Sequence, residues 1–248
     1  MSIKKTAKVN SLISRIVGIL FHWRLFVKKK LVLYNTIVRF KIIGLTGPIA
    51  SGKDEVAKIL RRRGAFIINA DQIAHSLYST QSEVWHELVK AFGSKILNRG
   101  GKVNRKKLGE IVFSDKDKLK ILNQIIHPYL KEIIIELVQS HQVQCPKLQA
   151  TSDIGHRTIV INAAVLKEIG LVDYVDEIWV AMAPQAKRLK RLLKAGLFPA
   201  EAKKRLRSQM SKKDYLKLAD VVIENNGPLK SLKNKVLNGL RIDNHVQV

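Results

Sequence analysis

No stretch of this chain constrains its fold more than Gly44-Leu45-Thr46-Gly47-Pro48-Ile49-Ala50-Ser51-Gly52-Lys53-Asp54. It follows an apolar run, Phe40 to Leu45, and leads into a segment where Val56, Ile59 and Leu60 fall at helical spacing. It therefore reads as strand, glycine-bearing loop and helix, with Gly64 placed to end the helix as its C′ residue. Gly47 through Lys53 fits the phosphate-loop pattern, in which successive backbone N–H groups and the helix N-terminus form a nest for a nucleotide's phosphates while the lysine reaches the outer ones. Gly47, Ala50, Ser51, Gly52, Lys53, Asp54 and Glu55 are the candidate nucleotide-binding residues. A strand-turn-helix corner also uses glycines for positive φ alone. The strand before and the helix after are the context that phosphate binding requires.

Position 54 departs from the pattern, whose usual residue is a Ser or Thr that ligates magnesium through its hydroxyl. An acid in the first turn of a helix suits the macrodipole. A carboxylate there also repels bare triphosphate yet binds Mg²⁺ directly or through water, so Asp54 is the expected metal residue and an unusually strong magnesium requirement is the expectation.

A chain of 248 residues, 46% apolar, is long enough for a sizeable core in one α/β domain. The single Cys145 excludes an internal disulfide and a thiolate metal cluster, and suits a reducing, cytoplasmic setting. A net charge of +25 points to polyanionic partners. Nucleotides and phosphorylated substrates, nucleic acid and an anionic membrane surface are all such partners, and nucleic acid is not expected because no aromatic-basic RNA signature is present.

Residues 1–40 form a basic N-terminal extension with nine Lys or Arg and no acid. Its apolar run from Leu12 to Phe21, broken by His22, Trp23 and Arg24, is too short to span a bilayer and lacks a cleavage site of small residues. Weak contact with a membrane surface and a dispensable upstream tail are both open readings.

Beyond the first helix, Ala65 to Asn69 reads as a second strand ending in Asn69-Ala70-Asp71. In an open parallel sheet the carboxyl ends of strands carry the ligand sites, which brings Asp71 near the phosphate loop if the two strands are neighbours. Asp71 there is either a base for an attacking hydroxyl or a helix N-cap, and spacing alone leaves both readings standing. Residues 82–140 read as a helical substrate-gripping subdomain in which Pro128 starts or kinks a helix at His127, and residues 140–157 as a loop holding Cys145-Pro146. Thr158 to Asn162, Asp176 to Met182 and Asp220 to Asn225 give three further strands, and Leu229 to Leu240 a closing helix. Strands alternating with helices predict a five-stranded parallel sheet covered on both faces.

Lys187 to Lys217 packs twelve basic residues against Glu201 and Asp214. Two helices parted by Ala195-Gly196-Leu197-Phe198-Pro199 would make a mobile lid, at about 187–217, that neutralises a transferring phosphoryl group. A solvated charged face is the plainer reading of the same residues.

With these pieces in order, residues from about Lys41 to Leu240 resemble dephospho-CoA kinase, a P-loop family of the nucleoside-monophosphate-kinase type. The likeness rests on the phosphate loop, Asn69-Ala70-Asp71 with Ala74, Val103-Asn104-Arg105, Ile125-Ile126-His127-Pro128 and Ala219 to Gly227. The resemblance implies ATP and Mg²⁺ as cofactors, dephospho-CoA as acceptor, Asp71 as general base and Lys53 as phosphate-loop lysine. It places Arg105, His127 and Asn162 on the substrate side, and Arg191, Lys194 and Arg205 as lid cations acting in catalysis. Lys194 stands where the family has arginine, His75 likewise, Ala50 where it has glycine, and Asn162-Ala163-Ala164 where it has an Asp-x-Pro strand end. A kinase of another nucleotide-like substrate is the related alternative, and the reading from another class is a P-loop protein that binds nucleotide without turnover and acts as a nucleic-acid or membrane-surface interaction module. Its support is the charge and the altered position 54; Lys53 and Asp71 speak against it.

Overall fold

Branched residues alternate through the predicted strands, and in the computed structural model, which describes residues 40–144 and 157–242, that alternation separates two faces of one sheet. The strands are β1 (Lys41–Thr46), β2 (Phe66–Asn69), β3 (Thr158–Asn162), β4 (Glu177–Met182) and β5 (Val221–Glu224), each within a residue of its predicted bounds. All pairings are parallel, in the spatial order β2-β3-β1-β4-β5.

The helices are α1 (Lys53–Arg61), α2 (Ala70–Leu77), α3 (Glu83–Phe92), α4 (Arg105–Phe113), α5 (Lys116–Gln144), α6 (Gln185–Lys194), α7 (Pro199–Arg207), α8 (Lys212–Leu218) and α9 (Leu229–Ile242). Ile43, Leu45, Val160, Trp179, Ala181 and Ile223 point to one face and bury against α1 and α9. Ile68, Ile159, Ile161, Ile178 and Val180 point to the other, against Val84 and Leu88 of α3, Leu108 and Val112 of α4, and Ile126, Leu130 and Ile134 of α5. Each fully buried Leu or Ile contributes on the order of 1.5–3 kcal/mol, so this double burial fixes the sheet in place.

Three details differ from the sequence-based expectations. Of the two readings of Pro128, starting a helix is the one that fails: α5 runs from Lys116 to Gln144 with the proline inside it. A proline in mid-helix removes one N–H donor, and here burial of Ile126, Leu130 and Ile134 on either side holds the helix through it. The second lid helix is split in two, because Ser211 accepts a hydrogen bond from the Asp214 N–H and starts α8 afresh. Helix α1 stops at Arg61, and Gly64 closes the following turn at φ +91°. Residues 1–39 and the Cys145-Pro146 loop lie outside the described residues. No helix among the described residues is long and apolar enough to cross a membrane.

Candidate active site

β1 lies between β3 and β4, so the chain direction of strand addition reverses beside it and its carboxyl end opens into a crevice. The phosphate loop fills that position. Its glycines are required by space as well as by φ: a Cβ on Gly47 (φ +140°) would sit 2.2 Å from the Ala181 carbonyl oxygen. One on Gly52 (φ +103°) would meet the Asn225 amide at 2.0 Å. Ala50 also adopts a positive φ, of 58°, without being glycine.

Lys53 begins α1 and its Nζ donates to the Gly47 carbonyl at 2.9 Å. Burial pushes its ammonium below the usual lysine range; the charges of Asp71 and Asp54 work against that shift, and Arg188 adds to it. Asp71 therefore lies within electrostatic reach of Lys53. It is not the helix cap: Asn69 is, its Oδ1 accepting from the Gln72 N–H at 3.1 Å. Asp71 sits one residue inside α2 and is exposed.

Strands β1 and β2 are not neighbours. β3 separates them, and Leu45, Asn162 and Asn69 stand level across the three strand ends. Buried Asn162 thus lies between the loop and the Asp71 turn, and its Nδ2 donates to Asp54 Oδ1 at 2.9 Å. Ser51 is buried with no hydrogen-bond partner for its Oγ among the described residues.

The lid cations separate into distinct roles. Arg191 does not project free into the crevice: its Nη1 donates to the Ala50 and Ser51 carbonyls at 2.8 and 3.1 Å, and its Nη2 to the Asn225 carbonyl at 3.3 Å. Asn225 Nδ2 adds a bond to the Ser51 carbonyl, so β5's end and α6 clamp the loop together. Arg205 pairs with Glu201 on an exposed face at 2.7 Å, and Lys194 is exposed at the end of α6. A cavity of about 400 Å³ beside the loop is lined by Ala50, Gly52, Lys53, Asp54, Glu55 and Arg191, among others.

On the acceptor side, Arg105 Nη2 donates to His75 Nε2 at 2.6 Å, and the Arg105 charge reaches Tyr78. His127 donates from Nδ1 to the Glu168 carbonyl at 3.1 Å; burial holds its pKa below the usual histidine value. Among the described residues no three His, Cys, Asp or Glu side chains are grouped to hold a metal.

Three residues at the loop were not among the sequence candidates: Arg188, Gln209 and Asn225. Gln209 Oε1 accepts from the Ile49 N–H at 3.0 Å and from Arg188 Nη1 at 3.3 Å. A basic residue one turn into the helix after β4 was a readable signal for Arg188; a lone glutamine in a lid turn carried none.

Comparison with known proteins gives this geometry its family. The family model described as dephospho-CoA kinase matches residues 41–231. The chain belongs to the dephospho-CoA kinase family. It is 39% identical over 197 residues to the dephospho-CoA kinase of Carboxydothermus hydrogenoformans, covering 79% of this chain and 91% of that one. It is 38% identical over 196 residues to that of Fusobacterium nucleatum, covering 79% and 94%. Among solved structures, the dephospho-CoA kinase of Campylobacter jejuni superposes with a TM-score of 0.58 at 27% identity, covering 81% of this chain and 95% of that one. A Thermus thermophilus protein superposes with a TM-score of 0.67 at 27% identity, covering 83% and 98%. The five-stranded parallel sheet with flanking helices is the P-loop kinase fold of these relatives.

Proposed function

We propose that this protein transfers the γ-phosphoryl group of ATP to the ribose 3′-hydroxyl of dephospho-CoA, yielding coenzyme A and ADP. The observation that carries the reading is that Asp71, left uncommitted by the Asn69 cap, lies within electrostatic reach of Lys53 at the crevice. In this reading Asp71 takes the hydroxyl proton, the 3′-oxygen bonds to the γ-phosphorus, and the bond to the β–γ bridging oxygen breaks as ADP leaves. The loop amides from Gly47 to Lys53 and the Lys53 ammonium hold the phosphates; the close packing of Gly47 on Ala181 and of Gly52 on Asn225 fixes the loop's shape, and the unpartnered Ser51 hydroxyl fits such a ligand. Asp54, oriented by Asn162, is the residue that would hold Mg²⁺. When bound, the ion neutralises phosphate charge. Glu55, in the first turn of α1, pairs with Lys58 and borders the nucleotide cavity.

Arg105 and His127 serve the acceptor side. Asn162 acts through Asp54 rather than on substrate. Arg191 braces the loop through three carbonyls and lines the nucleotide cavity, so its charge also faces the phosphates. Lys194 and Arg205 reach phosphate only if the lid moves inward.

Purified protein incubated with ATP, Mg²⁺ and dephospho-CoA should form 3′-phosphorylated product. Absence of product together with steeply salt-dependent RNA binding would favour an interaction module instead.

A further inference from the structure

The oxygen of the Gln209 side chain joins two parts of the site that no backbone element connects. It accepts from the Ile49 N–H of the phosphate loop at 3.0 Å and from Arg188 Nη1 at 3.3 Å. Gln209 lies in the turn between α7 and α8, on the return leg of the lid hairpin, while Arg188 is one turn into α6, where the hairpin begins. The contact at Gln209 therefore exists only while the hairpin is seated on the loop.

Arg188 differs from the other lid cations. Its Nε is buried with no hydrogen-bond partner among the described residues, and burial lowers its pKa. Its charge reaches Lys53, which it destabilises as an ammonium. Arg205 is paired with Glu201 and Arg191 is spent on bracing the loop carbonyls, whereas Arg188 is the guanidinium whose charge acts on Lys53, so it adds positive charge beside the Lys53 cradle. A glutamine carbonyl can align such a group without cancelling its charge. A carboxylate in the same place would neutralise it.

We infer that Gln209 is a positioning residue that makes seating of the lid hairpin the condition for Arg188 to face the phosphoryl group, coupling lid closure to assembly of the phosphate cradle. The inference rests on the phosphate-loop reading above. It also assigns the lid's contribution to Arg188 and to one neutral acceptor, in place of a general excess of positive charge.

The test is a double-mutant cycle on the full chain with Gln209→Leu and Arg188→Ala. Gln209→Leu should lower kcat by roughly 10- to 100-fold, the scale of a misplaced catalytic group, and leave the KM for ATP within about threefold. In the Arg188→Ala background the Gln209 substitution should have no further effect on kcat, because both act through one guanidinium. Independent multiplicative losses, or a wild-type kcat in Gln209→Leu, would overturn the proposal. A second arm needs no turnover: trypsin should cleave the lysine- and arginine-rich hairpin about tenfold faster in Gln209→Leu than in wild type at an unchanged melting temperature. Equal cleavage rates would also overturn it. Wild-type protein that forms no product while the trypsin contrast holds would remove the kinase reading and keep the latch. Active wild type with an unaffected variant would do the reverse.

Discussion

Asn162 at the end of β3 donates its side-chain amide to the Asp54 carboxylate at the start of α1, at 2.9 Å. The bond crosses from one strand end to the helix beside it and fixes one carboxylate oxygen, turning the carboxylate at the position where phosphate loops usually carry a hydroxyl. Only a donor can do this for a carboxylate. Asn162→Ala should raise the Mg²⁺ concentration for half-maximal rate by roughly 10- to 100-fold, since a hydrogen bond to a charged group is worth about 1.5–3 kcal/mol. Asn162→Asp should cost more, because two carboxylates would then face each other at hydrogen-bond distance. Magnesium titrations at fixed ATP check both. Asp54→Ser with unchanged metal affinity would remove Asp54 from the metal site.

Asp71 supports the second expectation. It is exposed, does not cap α2, and offsets the desolvation of Lys53. Asp71→Asn should lower kcat by roughly 10²- to 10⁴-fold, the range of general-base catalysis, with little change in ATP affinity. Steady-state kinetics with dephospho-CoA as the varied substrate reads this directly. Near-normal turnover would refute the role.

The strands, the phosphate loop and the closing helix were legible because period-two burial and a glycine-dependent turn leave local marks in sequence. What escaped depended on one-residue choices or on distant partners. Asn69 and Asp71 are both good cap residues, and only the start of α2 at Ala70 decides that Asn69 caps. Arg188 and Arg191 sit three residues apart on one helix, yet one reaches Gln209 and Lys53's surroundings while the other binds loop carbonyls. Residue type cannot separate them. The Asn162–Asp54 bond spans 108 positions, and both residues depart from the resembled family's pattern, so neither alone announced the pair.

Ala50 offers a stability test of the loop. Its φ of 58° is left-handed, a conformation that costs a residue with a Cβ about 1–2 kcal/mol. Glycine removes that cost and loses about 0.4–1 kcal/mol through its freer unfolded chain. Ala50→Gly should therefore stabilise by up to about 1.6 kcal/mol, raising Tm by roughly 3–6 °C at most for a chain of this size. Gly47→Ala should do the opposite and strongly, since its new Cβ meets the backbone carbonyl of Ala181 at 2.2 Å rather than a movable side chain. Paired thermal melts of the two variants check the sign of each.

Acid should destabilise the fold through two histidines. Burial lowers the pKa of His127, against the opposing pull of the Glu168 carbonyl, and burial likewise lowers that of His141, whose ring stacks on Phe66 at 3.9 Å. Both groups are neutral in folded and unfolded chains well above pH 6.5, the ordinary histidine value. As pH falls below it, the unfolded chain takes up protons that the native state resists, so unfolding becomes easier until the depressed native pKa values are passed. Tm should thus drop between about pH 7.5 and pH 5.5, in buffers of matched ionic strength. His127→Gln, which keeps a donor for the Glu168 carbonyl but cannot titrate, should make that drop shallower. A Tm that stays flat or rises on acidification would show that neither ring is held neutral by its surroundings.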